Sequence, residues 1–233
     1  ATAIVPASMG RSLESAAVSY ADGPNGSSGL VFRNNTVIGF SDGIAARIYN
    51  QGVFEADIYQ NKFVNCFDAI ECDNRWVNLR VWQNEVKSPV AGISLAPPIG
   101  GPAYIFRNTF HHIRSRANVF NDTYTVECTP PTAFVSGGTG IKTNIGGPPG
   151  DGASTLHFIN NTFHSKDTLG FSFYNWNNEW KQALFINNIF YGDSSPPLFF
   201  NGMLGDSAYQ FHARNNCFYT CLLYTSDAAD EWL

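Results

Sequence analysis

Phe106-Arg107-Asn108-Thr109-Phe110 decides the reading of this chain, because the same phrase returns along most of its length. Before it stand Arg33-Asn34-Asn35-Thr36-Val37, Tyr59-Gln60-Asn61-Lys62-Phe63 and Trp82-Gln83-Asn84-Glu85-Val86. After it come Ile159-Asn160-Asn161-Thr162-Phe163, Ile186-Asn187-Asn188-Ile189-Phe190 and Arg214-Asn215-Asn216-Cys217-Phe218. The central Asn residues are 26, 23, 24, 53, 27 and 28 apart. Self-similarity at such a period marks a repeat architecture. The gap of 53 reads as two coils plus a little, since Gly140-Ile141-Lys142 matches Gly92-Ile93-Ser94. An insertion over about 115–136, holding Cys128 and Pro130-Pro131, separates that strand from its expected partner.

Each repeat divides into short strands. Positions five and three before the Asn are apolar: Leu30/Phe32, Ala56/Ile58, Leu79/Val81, Ala103/Ile105, Leu156/Phe158 and Ala183/Phe185. Alternation of this kind is the mark of a half-buried strand. A turn and a second alternating strand follow, as in Ala69-Ile70-Glu71-Cys72, Gly92-Ile93-Ser94-Leu95 and Gly170-Phe171-Ser172-Phe173. No helical spacing persists for three turns, and a propeller blade needs about 40 residues or more. Stacked coils lie about 4.8 Å apart, so equivalent Asn side chains are placed to hydrogen-bond along the axis. Asn also tolerates the left-handed backbone of a sharp turn. The chain resembles the right-handed parallel β-helix proteins of the pectin-lyase-like superfamily over about residues 30–219. The expected fold is therefore all-β, a right-handed parallel β-helix (solenoid) of about seven to eight coils.

The 233 residues weigh 25.6 kDa, with 14% charged and 15% aromatic side chains. An average soluble domain carries about 25% charge. With a net charge of −5 and no Lys/Arg run, nucleic acid is excluded as a partner. No stretch approaches the roughly 20 apolar residues of a membrane-spanning helix. Residues 1–29 read as an N-terminal segment or partial first coil, and 30–220 as the β-helix. The run Cys221–Glu231 resembles a sequencing adapter translated in frame, so 221–233 is expected to be a non-native tail on a truncated chain. Cys66, Cys72, Cys128 and Cys217 lack the CxxC spacing of a zinc site.

Candidate chemistry gathers in one coil, Phe67-Asp68-Ala69-Ile70-Glu71-Cys72-Asp73-Asn74. With Ile70 and Cys72 inward, Glu71 and Asp73 face outward about 6.6 Å apart at Cα, and Arg47 falls beside Asp73 one coil away. Glu71, Asp73 and Arg47 are the candidate catalytic residues. Two carboxylates at that spacing suit general acid and base work on a glycosidic bond. They would equally share a metal, or form a solvated face with one weak salt bridge. Asp42 and Asp68 sit seven residues after their Asn and stack one coil apart. A Ca2+ ion would relieve their repulsion, and turn formation is the plainer role for both. His111-His112 reads as a surface loop whose side chains point apart.

The row two before each Asn turns outward, which places Tyr59, Trp82 and Phe106 in a ladder. Exposed aromatic strips mark a binding surface or a covered face. As a surface, these rings would receive sugar rings while Asp57 and Arg80, a cross-coil pair, bond hydroxyls or a uronate. As a covered face, they would lie beneath the 115–136 insertion. Signatures of polygalacturonases, pectate lyases and alginate epimerases are absent. The resemblance implies a secreted, periplasmic or cell-surface protein, monomeric at full length, that acts on an extended and possibly acidic polysaccharide as a lyase or glycoside hydrolase. The alternative is a non-catalytic carbohydrate-binding or adhesin-like module. A metal-delivery role is disfavoured by the lack of a Met/His/Cys cluster.

Overall fold

The computed structural model describes residues 2–4, 16–21, 27–95, 98–113, 139–142, 154–165, 172–174, 180–192, 199–201 and 210–220. Within them the chain is all-β and its strands pair in parallel. The strands that follow each ladder Asn stack as one sheet, with Thr2–Ile4 added at its edge. In order these are β1 (Thr2–Ile4), β4 (Thr36–Ile38), β6 (Lys62–Val64), β9 (Glu85–Lys87), β13 (Thr109–Ile113), β16 (Thr162–Ser165), β19 (Ile189–Gly192) and β22 (Cys217–Thr220). The strands that precede each Asn stack likewise: β3 (Ser27–Arg33), the second half of β5 (Asp42–Tyr59), β8 (Asn74–Trp82), β12 (Ala103–Phe106), β15 (Ser154–Ile159), β18 (Trp180–Ile186) and β21 (Gln210–Arg214). A third series joins β2 (Ser19–Ala21), the first half of β5, β7 (Asp68–Glu71), β10 (Ala91–Ser94) and β14 (Thr139–Lys142). The result is a β-solenoid.

The Asn ladder holds one corner. Each Nδ2 donates to the Oδ1 of the next Asn, from Asn35 through Asn61, Asn84, Asn108, Asn161 and Asn188 to Asn216, at 2.9–3.2 Å. The same Oδ1 accepts the backbone N–H of the preceding ladder Asn. The second Nδ2 proton goes back to a carbonyl on the previous coil, such as Ile58 for Asn84 and Val81 for Asn108. Both donors and both acceptor sites of the amide are therefore used, which is why Asn84 and Asn108 are buried without penalty.

Two expectations are corrected here. The left-handed residue is the one before the ladder Asn: Asn34, Gln60, Gln83, Arg107, Asn160, Asn187 and Asn215 all have φ between 52° and 55°. The ladder Asn needs its side chain for the axis, so the neighbour takes the turn. This accounts for the Asn-Asn doublets, because Asn enters that region more readily than most residues. The gap of 53 residues is also one step and not two coils. Asn108 bonds Asn161 directly, β12 pairs with β15, and β13 pairs with β16. The expected pairing of Ile93 with Ile141 holds. The 115–136 insertion and the 221–233 tail fall outside the described residues.

Inward side chains fill the interior in columns. Phe110, Phe163 and Phe190 stack with centroids 4.8 and 5.2 Å apart, and Phe158 stacks on Phe185 at 4.7 Å. All five are fully buried; each contributes about 1.5–3 kcal/mol from burial. Gly43 permits a close approach, since a Cβ there would collide with the Ala69 carbonyl and the Phe63 ring. It thereby fixes where Asp42 meets Asp68.

Candidate functional site

The sheet before the ladder presents the aromatic row. Tyr59, Trp82 and Phe106 lie in register on β5, β8 and β12. Tyr59 and Trp82 stack with centroids 4.2 Å apart and planes 6° apart, and Trp82 and Phe106 at 5.9 Å and 3°. All three rings are half-buried, so neither full exposure nor deep cover describes them. Their faces are turned on one another, and the strip shows mostly ring edges. The step between Trp82 and Phe106 is the wider of the two. At the Tyr59 end, Arg33 donates to the Tyr59 hydroxyl at 3.0 Å and lies 5.9 Å above the ring.

Asp57 and Arg80 form the expected cross-coil pair beside this row. Nε and Nη2 of Arg80 donate to Oδ1 and Oδ2 of Asp57 at 2.6 and 2.7 Å. Those bonds hold the Asp57 carboxyl below its usual range and push the Arg80 guanidinium up, against the opposing effect of burial. In the same outer row Tyr104 stacks on His157 at 4.7 Å, and burial lowers the His157 pKa. The sequence reading missed the corner next to the rings. There the left-handed residues Gln60, Gln83 and Arg107 line an open depression of about 670 Å³ with Glu85, Thr109 and His111. Their signal was present, as the residue immediately after each ladder aromatic. On this outer surface and corner the described arginines are Arg33, Arg80, Arg107 and Arg214, against Glu55, Asp57 and Glu85. The local balance is positive on a chain of net charge −5.

The third series positions the carboxylates. Asp42 pairs in register with Asp68 and Ala45 with Glu71. Asp42 and Asp68 are each 4% exposed, and carboxylate oxygens of Asp42, Asp68 and Glu71 lie within 4.8 Å of one another. Glu71 thus joins the two residues expected to hold a cation, and oxygen donors of this kind suit a hard ion such as Ca2+. Asp73 lies just past β7 and accepts the Ser94 hydroxyl at 2.6 Å. Ile70 and Cys72 are fully buried, as the inward reading requires. Arg47 lies in β5 with its backbone paired to Ala21; its side chain falls outside the described residues.

The sheet after the ladder holds a group that the sequence reading took as divergent. His111 and His112 lie in β13 with their Nδ1 atoms 3.0 Å apart. They converge because His112 has φ 55°, which bends the strand at a corner and sends two successive side chains to one side. Among the cysteines, burial raises Cys66 to about 11 and Cys72 well above its ordinary value, so both are protonated at neutral pH. Comparison of the chain with protein-family models, with curated proteins and with solved structures returned no match.

Proposed function

We propose that this β-solenoid, of the right-handed pectin-lyase-like kind, is a secreted or cell-surface protein that holds an extended acidic polysaccharide across its coils. The observation that carries the reading is the in-register strip of Tyr59, Trp82 and Phe106 flanked by Arg33, Arg80 and Arg107. The strip offers apolar contact to sugar C–H groups. The arginines supply charge-assisted bonds to uronate carboxylates, with Gln60 and Gln83 as hydroxyl partners. Retention on immobilised polyuronate and on a neutral glucan tests this. The chain should be held by the first, less so at high salt, and released by Trp82→Ala. Arg107→Gln, which repeats the residue of the two preceding coils, should weaken retention and leave the fold intact. Equal retention on the neutral glucan would defeat the acidic assignment.

A lyase or hydrolase acting on that glycan is the second reading. The gathering of Glu71 with Asp42 and Asp68 favours it, with Asp73 and Arg47 as the further candidates and Ca2+ as the cation the carboxylates would hold. Appearance of new reducing ends or unsaturated products, lost in Glu71→Gln, would establish it. Retention with no product in either protein leaves a carbohydrate-binding module.

A further inference from the structure

We propose that His111 and His112 form a chelating site for a divalent transition-metal ion, with His164 of the neighbouring strand beside it. Gly39, Asn65 and Ser88 take the left-handed backbone at the same corner in the preceding coils, and of these Gly39 and Asn65 turn cheaply. The fourth is His112 at φ 55°. Left-handed backbone is uncommon outside glycine, although His is among the residues that enter it more readily. Its effect here is to set the two Nδ1 atoms 3.0 Å apart, with ring centroids 5.1 Å apart and planes crossed at 62°.

That separation matches a chelate. With metal–nitrogen bonds of about 2.0–2.1 Å, two nitrogens 3.0 Å apart subtend roughly 90° at the ion. Adjacent positions of tetragonal Ni2+ or Cu2+ have this angle, whereas tetrahedral Zn2+ asks for a wider one. The outer partners agree. Glu85 Oε1 stands 3.4 Å from His111 Nε2 and is itself held by Lys62 at 3.2 Å. A carboxylate there keeps the proton on Nε2 and leaves the Nδ1 lone pair facing His112, the arrangement that orients metal-binding imidazoles. With His111 in that form, the 3.0 Å contact has His112 donating its Nδ1 proton. Binding moves that proton to His112 Nε2 by way of solvent, after which both Nδ1 lone pairs meet the ion and charge balances. His164 pairs against the same segment of β13, its ring 5.1 Å from that of His112. His111 also lines the open depression at the corner, and its side chain is 23% exposed.

Isothermal titration of the untagged full chain with Ni2+ tests the site. One equivalent should bind. His112→Asn keeps a residue suited to the left-handed corner and should lower affinity by more than the roughly tenfold expected of an outer partner. Glu85→Ala should lower it by about tenfold, and His157→Ala should leave it unchanged. Undiminished binding in His112→Asn, or equal losses in His112→Asn and His157→Ala, would overturn the proposal. Should His112→Asn fail to fold, the unsubstituted chain still answers. Of its 5 histidines, Ni2+ should broaden the imidazole resonances of His111 and His112 first and those of His157 and His212 last. Uniform broadening would overturn the proposal.

Discussion

Asn108 shows how much one side chain can be asked to do. Its Oδ1 takes both the backbone N–H and the Nδ2 of Asn84, and its own Nδ2 serves Val81 and Asn161. Asn108→Leu would strand the buried Asn84 N–H, and each stranded group costs about 1–3 kcal/mol. Urea denaturation should show that loss, with a smaller one for Asn216→Leu at the half-buried end of the ladder. An unchanged midpoint for Asn108→Leu would mean the ladder is not structural. The role of this Asn was legible because it repeats. The left-handed turn was assigned to it wrongly because Asn suits both jobs, and only the bonding pattern shows which of two neighbours does which. Thiols give a second check at this scale. Cys66 and Cys72 are buried and held protonated, whereas Cys217 is exposed. Of these three, a thiol reagent at neutral pH should label Cys217 alone in the native protein. Labelling of Cys72 without unfolding would contradict its burial.

At the scale of the strand, period-two alternation foretold both the inward columns and the outward aromatic row. It carries no information on ring orientation, so the mutual stacking of Tyr59, Trp82 and Phe106 was not legible. Nor was the meeting of His111 with His112, since alternation sends neighbours to opposite faces until a left-handed residue intervenes. The β5–β8 pairing makes a prediction of its own through Asp57 and Arg80. The Asp57 pKa is lowered from 3.8 by its bonds to Arg80. A depressed carboxyl contributes stability that is full above its unfolded value and is lost as pH falls through its folded value. Wild type should therefore lose stability below about pH 4 more steeply than Asp57→Asn, as melting temperature against pH would show. Parallel curves would mean that solvent screening leaves this partly exposed pair without effect. Gly43 gives the steric counterpart. Gly43→Ala forces β5 away from β7, and overpacking of this kind costs about 1–3 kcal/mol. The variant should also disturb the meeting of Asp42, Asp68 and Glu71.

Over the whole molecule, stacking converts a weak local signal into a fold. Each repeat buries its apolar face only against its neighbours, so columns such as Phe110, Phe163 and Phe190 exist only once coils are stacked. The same logic makes the last described coil a vulnerable one. Phe218 continues the column, 5.1 Å from Phe190, yet it is 47% exposed, and Tyr219 beside it is 52% exposed. Strands β21 and β22 pair on one side only among the described residues. A parallel edge with apolar side chains invites another strand. A second copy of this edge is the partner nearest to hand at high concentration. Light scattering behind size exclusion should accordingly show mass rising with concentration. Phe218→Lys adds a charge to that edge and removes a half-exposed ring. It should lower the association and leave the melting temperature little changed. A monomer at every concentration, or association equal in wild type and Phe218→Lys, would place the contact elsewhere and leave this end of the solenoid protected.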